Sequence, residues 1–145
     1  MTNAMNFIVT DRQSIEDGIL VRSSYVVISI RDPGKKKAAV RKTSGLRATL
    51  FLQFHDAEPT KGMLLPPEIR LMSPKDAASI WAFVEKYSKD VGAIVVHCEQ
   101  GMSRSPAVAA AICKGMGGDD QRFWLKYQPN RYVYDLVLGA AGKGR

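Results

Sequence analysis

Val95-Val96-His97-Cys98-Glu99-Gln100-Gly101-Met102-Ser103-Arg104-Ser105-Pro106-Ala107 is the stretch that decides the fold. It is preceded by the apolar run Val91 to Val96 and followed by the small, apolar run Ala107 to Ile112. The first run is short and β-branched, which reads as a strand buried on both faces. The second is rich in alanine, which reads as a helix packed close to a sheet. Between them lies a tight loop with Gly101 at its centre, where a missing side chain permits unusual dihedrals or close backbone approach.

The same alternation continues upstream. Met5 to Val9, Tyr25 to Ile30 and Leu46 to Phe54 read as strands, and Asp32-Pro33-Gly34 ends the second of them with a turn. Arg12 to Leu20 reads as a short helix or turn closed by Gly18, and Thr60 to Met72, with Gly62, Pro66 and Pro67, as an exposed loop. Ser73-Pro74-Lys75-Asp76 predicts a helix start with a capping box. Ala77, Ile80, Trp81, Val84 and Tyr87 give that helix its buried face. Helices are also predicted over Arg104 to Cys113, Asp119 to Lys126 and Asn130 to Leu138, with a basic tail from Gly142 to Arg145. Strands alternating with helices predict an α/β fold, a mostly parallel central sheet of about four to five strands flanked by helices. Residues 1–145 read as one domain.

Composition narrows the class. Apolar residues make up 46% and charged residues 24%, as in soluble globular chains, and no apolar run reaches the length of a membrane span. Two cysteines, Cys98 and Cys113, are too few for a disulfide framework and fit a reducing compartment. Met1 to Asn6 lacks the build of a secretory signal, so a cytoplasmic location is expected, with a monomer as the default. The net charge of +7 favours anionic partners without choosing among them.

The loop itself specifies a chemistry. A loop that closes directly onto a helix start turns successive N–H groups toward one point and adds the positive end of the helix dipole. Arg104 can grip two oxygens of a phosphate with a planar fork, and the same field favours the thiolate of Cys98. Cys98 could then attack phosphorus and carry the phosphoryl group until water removes it. Glu99, Gln100, Gly101, Met102 and Ser103 would surround the phosphate with backbone amides. They bring no added positive charge, so the loop reads as a site for one phosphate. His97 reads as a fixed hydrogen-bonding residue that orients the loop, and Cys113 as a buried structural thiol. The two histidines and two cysteines lack the spacing of a zinc site, so neither metal nor cofactor is expected.

His97-Cys98-x5-Arg104-Ser105 resembles the signature of the cysteine-based protein tyrosine phosphatase superfamily, in its compact, bacterial, dual-specificity-like branch. Val95-Val96-His97-Cys98 and Gly101-x-Ser103-Arg104-Ser105-Pro106 carry the likeness, which extends to Phe54-His55-Asp56 and Pro129-Asn130. The resemblance implies the three-layer fold of that superfamily. It also implies a phosphorylated protein or peptide as substrate, phosphotyrosine with phosphoserine and phosphothreonine as further candidates. Cys98 would be the nucleophile, Arg104 the phosphate clamp, Ser105 the hydroxyl that assists thiolate departure, and Asn130 a residue that steadies the loop. An aspartate should supply the proton. Asp56 is the first choice, but it lies 42 residues before Cys98, farther than the family norm. The Thr60 to Met72 stretch could account for the difference. Glu58, on the same loop, and Asp76, in a helix first turn, are the alternatives.

Rival readings are a phosphate-recognition module without turnover, an RNA 5′-phosphatase and, more distantly, rhodanese-like sulfur transfer. The chain lacks the aromatic and basic interleaving of nucleic-acid surfaces. The basic stretch Lys35 to Lys42 reads as a solvated loop, or alternatively as a rim that recruits an acidic partner.

Overall fold

A computed structural model describes residues 5–60 and 62–142. Four strands, β1 (Asn6–Asp11), β2 (Tyr25–Arg31), β3 (Leu46–Gln53) and β4 (Ala93–Cys98), form one sheet in the order β1-β4-β2-β3. Every pairing is parallel, so among the described residues the sheet is entirely rather than mostly parallel and has four strands. Five helices flank it: α1 (Arg12–Asp17), α2 (Pro74–Tyr87), α3 (Arg104–Gly115), α4 (Gln121–Lys126) and α5 (Arg131–Gly139). This is a three-layer α/β architecture, consistent with the protein tyrosine phosphatase-like arrangement that the resemblance implies. Among the described residues no helix is long and apolar enough to cross a membrane.

Period-two alternation sorts the central strands into two cores. Val26, Ile28 and Ile30 of β2, with Ile94, Val96 and Cys98 of β4, face the larger core shared with α2, α3 and α5. Tyr25, Val27, Ala93 and Val95 face the other side, where Ile15 of α1 and Ala38 cover them. Both central strands are therefore buried on both faces, which is why they read as continuous apolar runs. Helix α3 is buried from Arg104 to Cys113. Its alanines allow the backbone to lie close to β1 and β4.

Local sequence sets the helix ends. The Ser73 hydroxyl accepts from the Asp76 N–H at 3.1 Å and the Asp76 carboxylate accepts from the Ser73 N–H at 2.9 Å, the reciprocal box the sequence predicts. Ala77, Ile80, Trp81 and Val84 are buried beneath α2, whereas Tyr87 is only half-buried, on the last turn. Asp11 caps α1 and Gly18 ends it with φ of 103°, while Asn130 caps α5 rather than opening it. The described residues of the loop between β3 and α2 lack regular structure and are largely exposed, with Met72 buried at its end. The predicted basic tail from Gly142 to Arg145 lies outside the described residues beyond Gly142.

A parallel sheet has one directional consequence for the site. All four strands end along the same edge, so the segments after Asp11, Arg31, Gln53 and Cys98 converge there.

Candidate active site

At that edge a cleft of about 600 Å³ is lined by Cys98 to Gln100, Met102 to Arg104, Asp32, Lys35 and the His55-Asp56-Ala57 segment, with Ile69 from the long loop. The structure thus brings Cys98, Arg104 and Asp56 to one cavity. A second groove of about 560 Å³, between α2 and α5, shares no lining residue with it.

Peptide geometry orients the loop. The Cys98 carbonyl faces the His97 Nδ1 at 3.3 Å, and the Glu99 carbonyl accepts from the Arg12 N–H at 3.2 Å. The Met102 and Ser103 carbonyls accept from the N–H groups of Gln128 and Asn130, each at 3.0 Å. Among the described residues no peptide bond is cis. In a trans peptide the N–H points opposite to the C=O. The N–H groups of Glu99, Gln100, Ser103 and Arg104 are therefore turned away from these outer partners, toward the inside of the loop. Gly101 completes the turn with φ of 72°, and its N–H reaches the Cys98 Sγ at 3.3 Å. A Cβ at Gly101 would lie 2.8 Å from the Thr10 carbonyl oxygen, so glycine is required by both dihedral and contact.

Cys98 is 3% exposed. Its sulfur sits at the N-terminus of α3, where the Ser105 hydroxyl approaches to 3.2 Å. Arg104 is nearly as buried. Its Nη1 donates to the Asp32 Oδ1 and to the Phe54 carbonyl, both at 2.7 Å, which pins the guanidinium between the ends of β2 and β3. Its Nε is buried without a hydrogen-bond partner among the described residues. An orphaned buried donor costs about 1–3 kcal/mol, so this atom calls for an acceptor.

Asp56 is held at the cleft rim. Its Oδ1 accepts from the Ser103 hydroxyl and from the Asn130 Nδ2, each at 2.8 Å. Asn130 also donates to the Ala57 carbonyl, and its Oδ1 accepts from the Val133 N–H. One side chain therefore ties the loop, the Asp56 segment and α5 together. Glu58 instead accepts from the Arg131 N–H at the start of α5, and Asp76 is committed to its capping box. Neither lines the cleft. His55, beside Asp56, accepts the Arg70 N–H at its Nδ1, which leaves Nε2 as the protonated nitrogen of the neutral ring.

His97 is 1% exposed and faces the opposite side of the sheet from Cys98, beside its register partner Ser29. A carbonyl can only accept, so Nδ1 donates to the Cys98 carbonyl. Nε2, at 2.6 Å, then accepts from the Ser29 hydroxyl. Burial pushes the imidazolium form down, against the Cys98 carbonyl that favours it. The sign follows. With the folded value below the ordinary histidine value of about 6.5, the unfolded chain binds the extra proton first. Stability is complete above about pH 6.5 and declines as the pH falls from there toward the lowered folded value. Thermal denaturation at pH 7.5 and 5.5 should show this loss in the wild type and a smaller one in His97→Gln. An equal loss in both would assign it to other groups.

No protein-family model matches the chain, and no curated protein matches it. The site therefore stands on its own geometry. Among the described residues no three His, Cys, Asp or Glu side chains group as a metal-ligand set. Cys113 is buried, donates to the Asp119 carbonyl at 3.5 Å, and has its thiol pushed up by burial, as a structural cysteine would.

Two residues escaped the sequence reading. Asp32 appeared only as part of a turn, and Ser29 only as part of an apolar strand. A signal for Asp32 was available: it directly follows the C-terminal end of a central strand in a parallel sheet, where ligands gather.

Proposed function

We propose that this protein is a phosphatase that hydrolyses phosphate monoesters, phosphotyrosine in proteins foremost, through a phosphocysteine intermediate. The observation that carries the reading is the buried Nε of Arg104, without a hydrogen-bond partner among the described residues, at the end of a loop whose amides turn inward around a cysteine sulfur. A phosphate oxygen would supply the missing acceptor. The inward amides would take the other oxygens, with donors already in place as charge develops on them.

In this reaction the Cys98 thiolate attacks phosphorus and the bond from phosphorus to the ester oxygen breaks. The leaving oxygen takes a proton from Asp56. The Ser103 hydroxyl and the Asn130 amide occupy Oδ1, which assigns the proton to Oδ2. In the second step the Asp56 carboxylate takes a proton from water, and the water oxygen bonds to phosphorus. The sulfur–phosphorus bond then breaks, releasing inorganic phosphate and a thiolate that the Ser105 hydroxyl stabilises.

The three acids separate by assay on an alkyl-type phosphate, whose leaving group needs the proton. Asp56→Asn should lower kcat by about 10²-fold or more, and less on an activated aryl phosphate. Glu58→Gln and Asp76→Asn should leave kcat within a few-fold, because both carboxylates cap helices. Activity that survives in Asp56→Asn and collapses in either other variant would move the acid. Peptides carrying phosphotyrosine, phosphoserine or phosphothreonine would then rank the substrates.

A further inference from the structure

The basic run after β2 is built against the cleft. Asp32-Pro33-Gly34-Lys35 is a tight turn: the Lys35 N–H donates to the Asp32 carbonyl at 3.2 Å, and Gly34 has φ of 86°. Proline at the second position and a positive-φ glycine at the third are the type II pattern. Arg31 Nε clamps the turn by donating to the Lys35 carbonyl at 2.9 Å. The turn carries Asp32 onto Arg104 and sets Lys35 in the cleft wall.

Distances decide what Lys35 can do there. Its Nζ lies 3.7 Å from Asp32 and 3.9 Å from Glu99. Both carboxylates have a closer cation: Asp32 has Arg104 at 2.7 Å and Glu99 has Arg12 at 3.3 Å. Lys35 is therefore loosely held, and its side chain is 55% exposed. Lys36 and Lys37 follow, both exposed, and neither has an acidic partner among the described residues. Lys37 lies over the Phe51 ring of β3, 4.8 Å from its centroid. The run thus starts at the cleft mouth, where Lys35 has two loosely held carboxylate partners, and passes over the edge strand with Lys36 and Lys37, which have no acidic partner among the described residues.

We propose that Lys35 to Lys37 form a docking ramp for acidic residues that flank the phosphorylated residue of a peptide. This rests on the phosphatase reading and names its substrate class. Two features favour an acidic peptide over other anions. Lys37 occupies the face of Phe51, which would otherwise be a stacking platform for a base. Among the described residues the run itself carries no exposed large hydrophobic side chain of the kind a membrane-binding surface inserts, and Met102 is the exposed one that shares the cleft with Lys35.

The test compares two phosphotyrosine peptides that differ only in flanking glutamate or glutamine. The wild type should favour the glutamate peptide by about three- to tenfold in KM, the range for a few exposed ion pairs, and less as salt rises. Lys36→Gln/Lys37→Gln should remove most of that preference and leave turnover of a small aryl phosphate unchanged. Equal KM for the two peptides in the wild type, or a preference retained in the variant, overturns the ramp. A 5′-phosphorylated oligonucleotide that outperforms the glutamate peptide, with the same sensitivity to the variant, overturns it in favour of nucleic acid. The small aryl phosphate separates the two levels. If the wild type does not turn it over, the phosphatase reading fails, and fluorescence anisotropy of the same two peptides still reads the ramp as binding.

Discussion

Replacing Cys98 by serine should abolish turnover, lowering kcat by about 10⁴-fold or more, while leaving the fold and phosphate binding intact. The two properties separate because they rest on different atoms. Binding draws on the loop amides and the Arg104 guanidinium. Those amides are aimed by carbonyl contacts to Arg12, Gln128 and Asn130, none of which involves the sulfur. Bond making draws on the sulfur alone. A serine hydroxyl is a far weaker acid than a thiol and needs an adjacent base to act as a nucleophile, and the groups hydrogen-bonded to the sulfur among the described residues, the Ser105 hydroxyl and the Gly101 N–H, are not bases. Thermal denaturation with and without inorganic phosphate, beside kinetics on an aryl phosphate, checks both halves. Turnover by the serine variant within tenfold of wild type would remove Cys98 as nucleophile. Loss of phosphate-dependent stabilisation in a folded variant would show that the sulfur also organises the loop.

Arg104→Lys should lower kcat/KM by about 10³-fold, the scale for removing a preorganised donor from an oxyanion site. Lysine keeps the charge but not the planar fork. In the native arrangement Nη1 already serves both Asp32 and the Phe54 carbonyl, and Nε is left for the ligand. A single ammonium would have to choose. If it stays with Asp32, the phosphate loses its clamp. If it turns to the phosphate, the Asp32 carboxylate faces an incoming dianion with only the loosely held Lys35 ammonium, 3.7 Å away, beside it. Adding Asp32→Asn to Arg104→Lys should therefore recover part of the lost KM, a coupling a double-mutant cycle measures. Strict additivity of the two substitutions would mean that Asp32 does not act through Arg104.

Much of this was legible because it is local. A capping box needs only Ser73 and Asp76, and the strand, loop and helix around Cys98 need only their own residues. The β-branched runs Val26 to Ile30 and Ala93 to Val96 announce strands buried on both faces, and such strands belong to parallel sheets. The choice among Asp56, Glu58 and Asp76 was not local. Spacing along the chain favoured none of them strongly. In the folded chain they differ in where each carboxylate's hydrogen bonds go: Asp56 to Ser103 and Asn130 at the cleft, the other two to helix ends, and the proposal of Asp56 as the acid rests on that difference. Ser29 and Asp32 were invisible for a related reason. A serine in an apolar strand and an aspartate before Pro-Gly each have an ordinary local explanation.

By itself, then, the sequence determined the α/β class, and the strand, tight loop and helix that carry Cys98 and Arg104, the loop proposed above to hold one phosphate. Short-range dihedral preference, hydrophobic period and spacing within one turn suffice for those. Only the tertiary structure decided that four parallel strands end together, so that Asp32, Asp56 and Lys35 meet Cys98 across up to 66 positions of chain. Partners that far apart are joined by strand order and direction, and these follow from how the whole core packs rather than from any one segment.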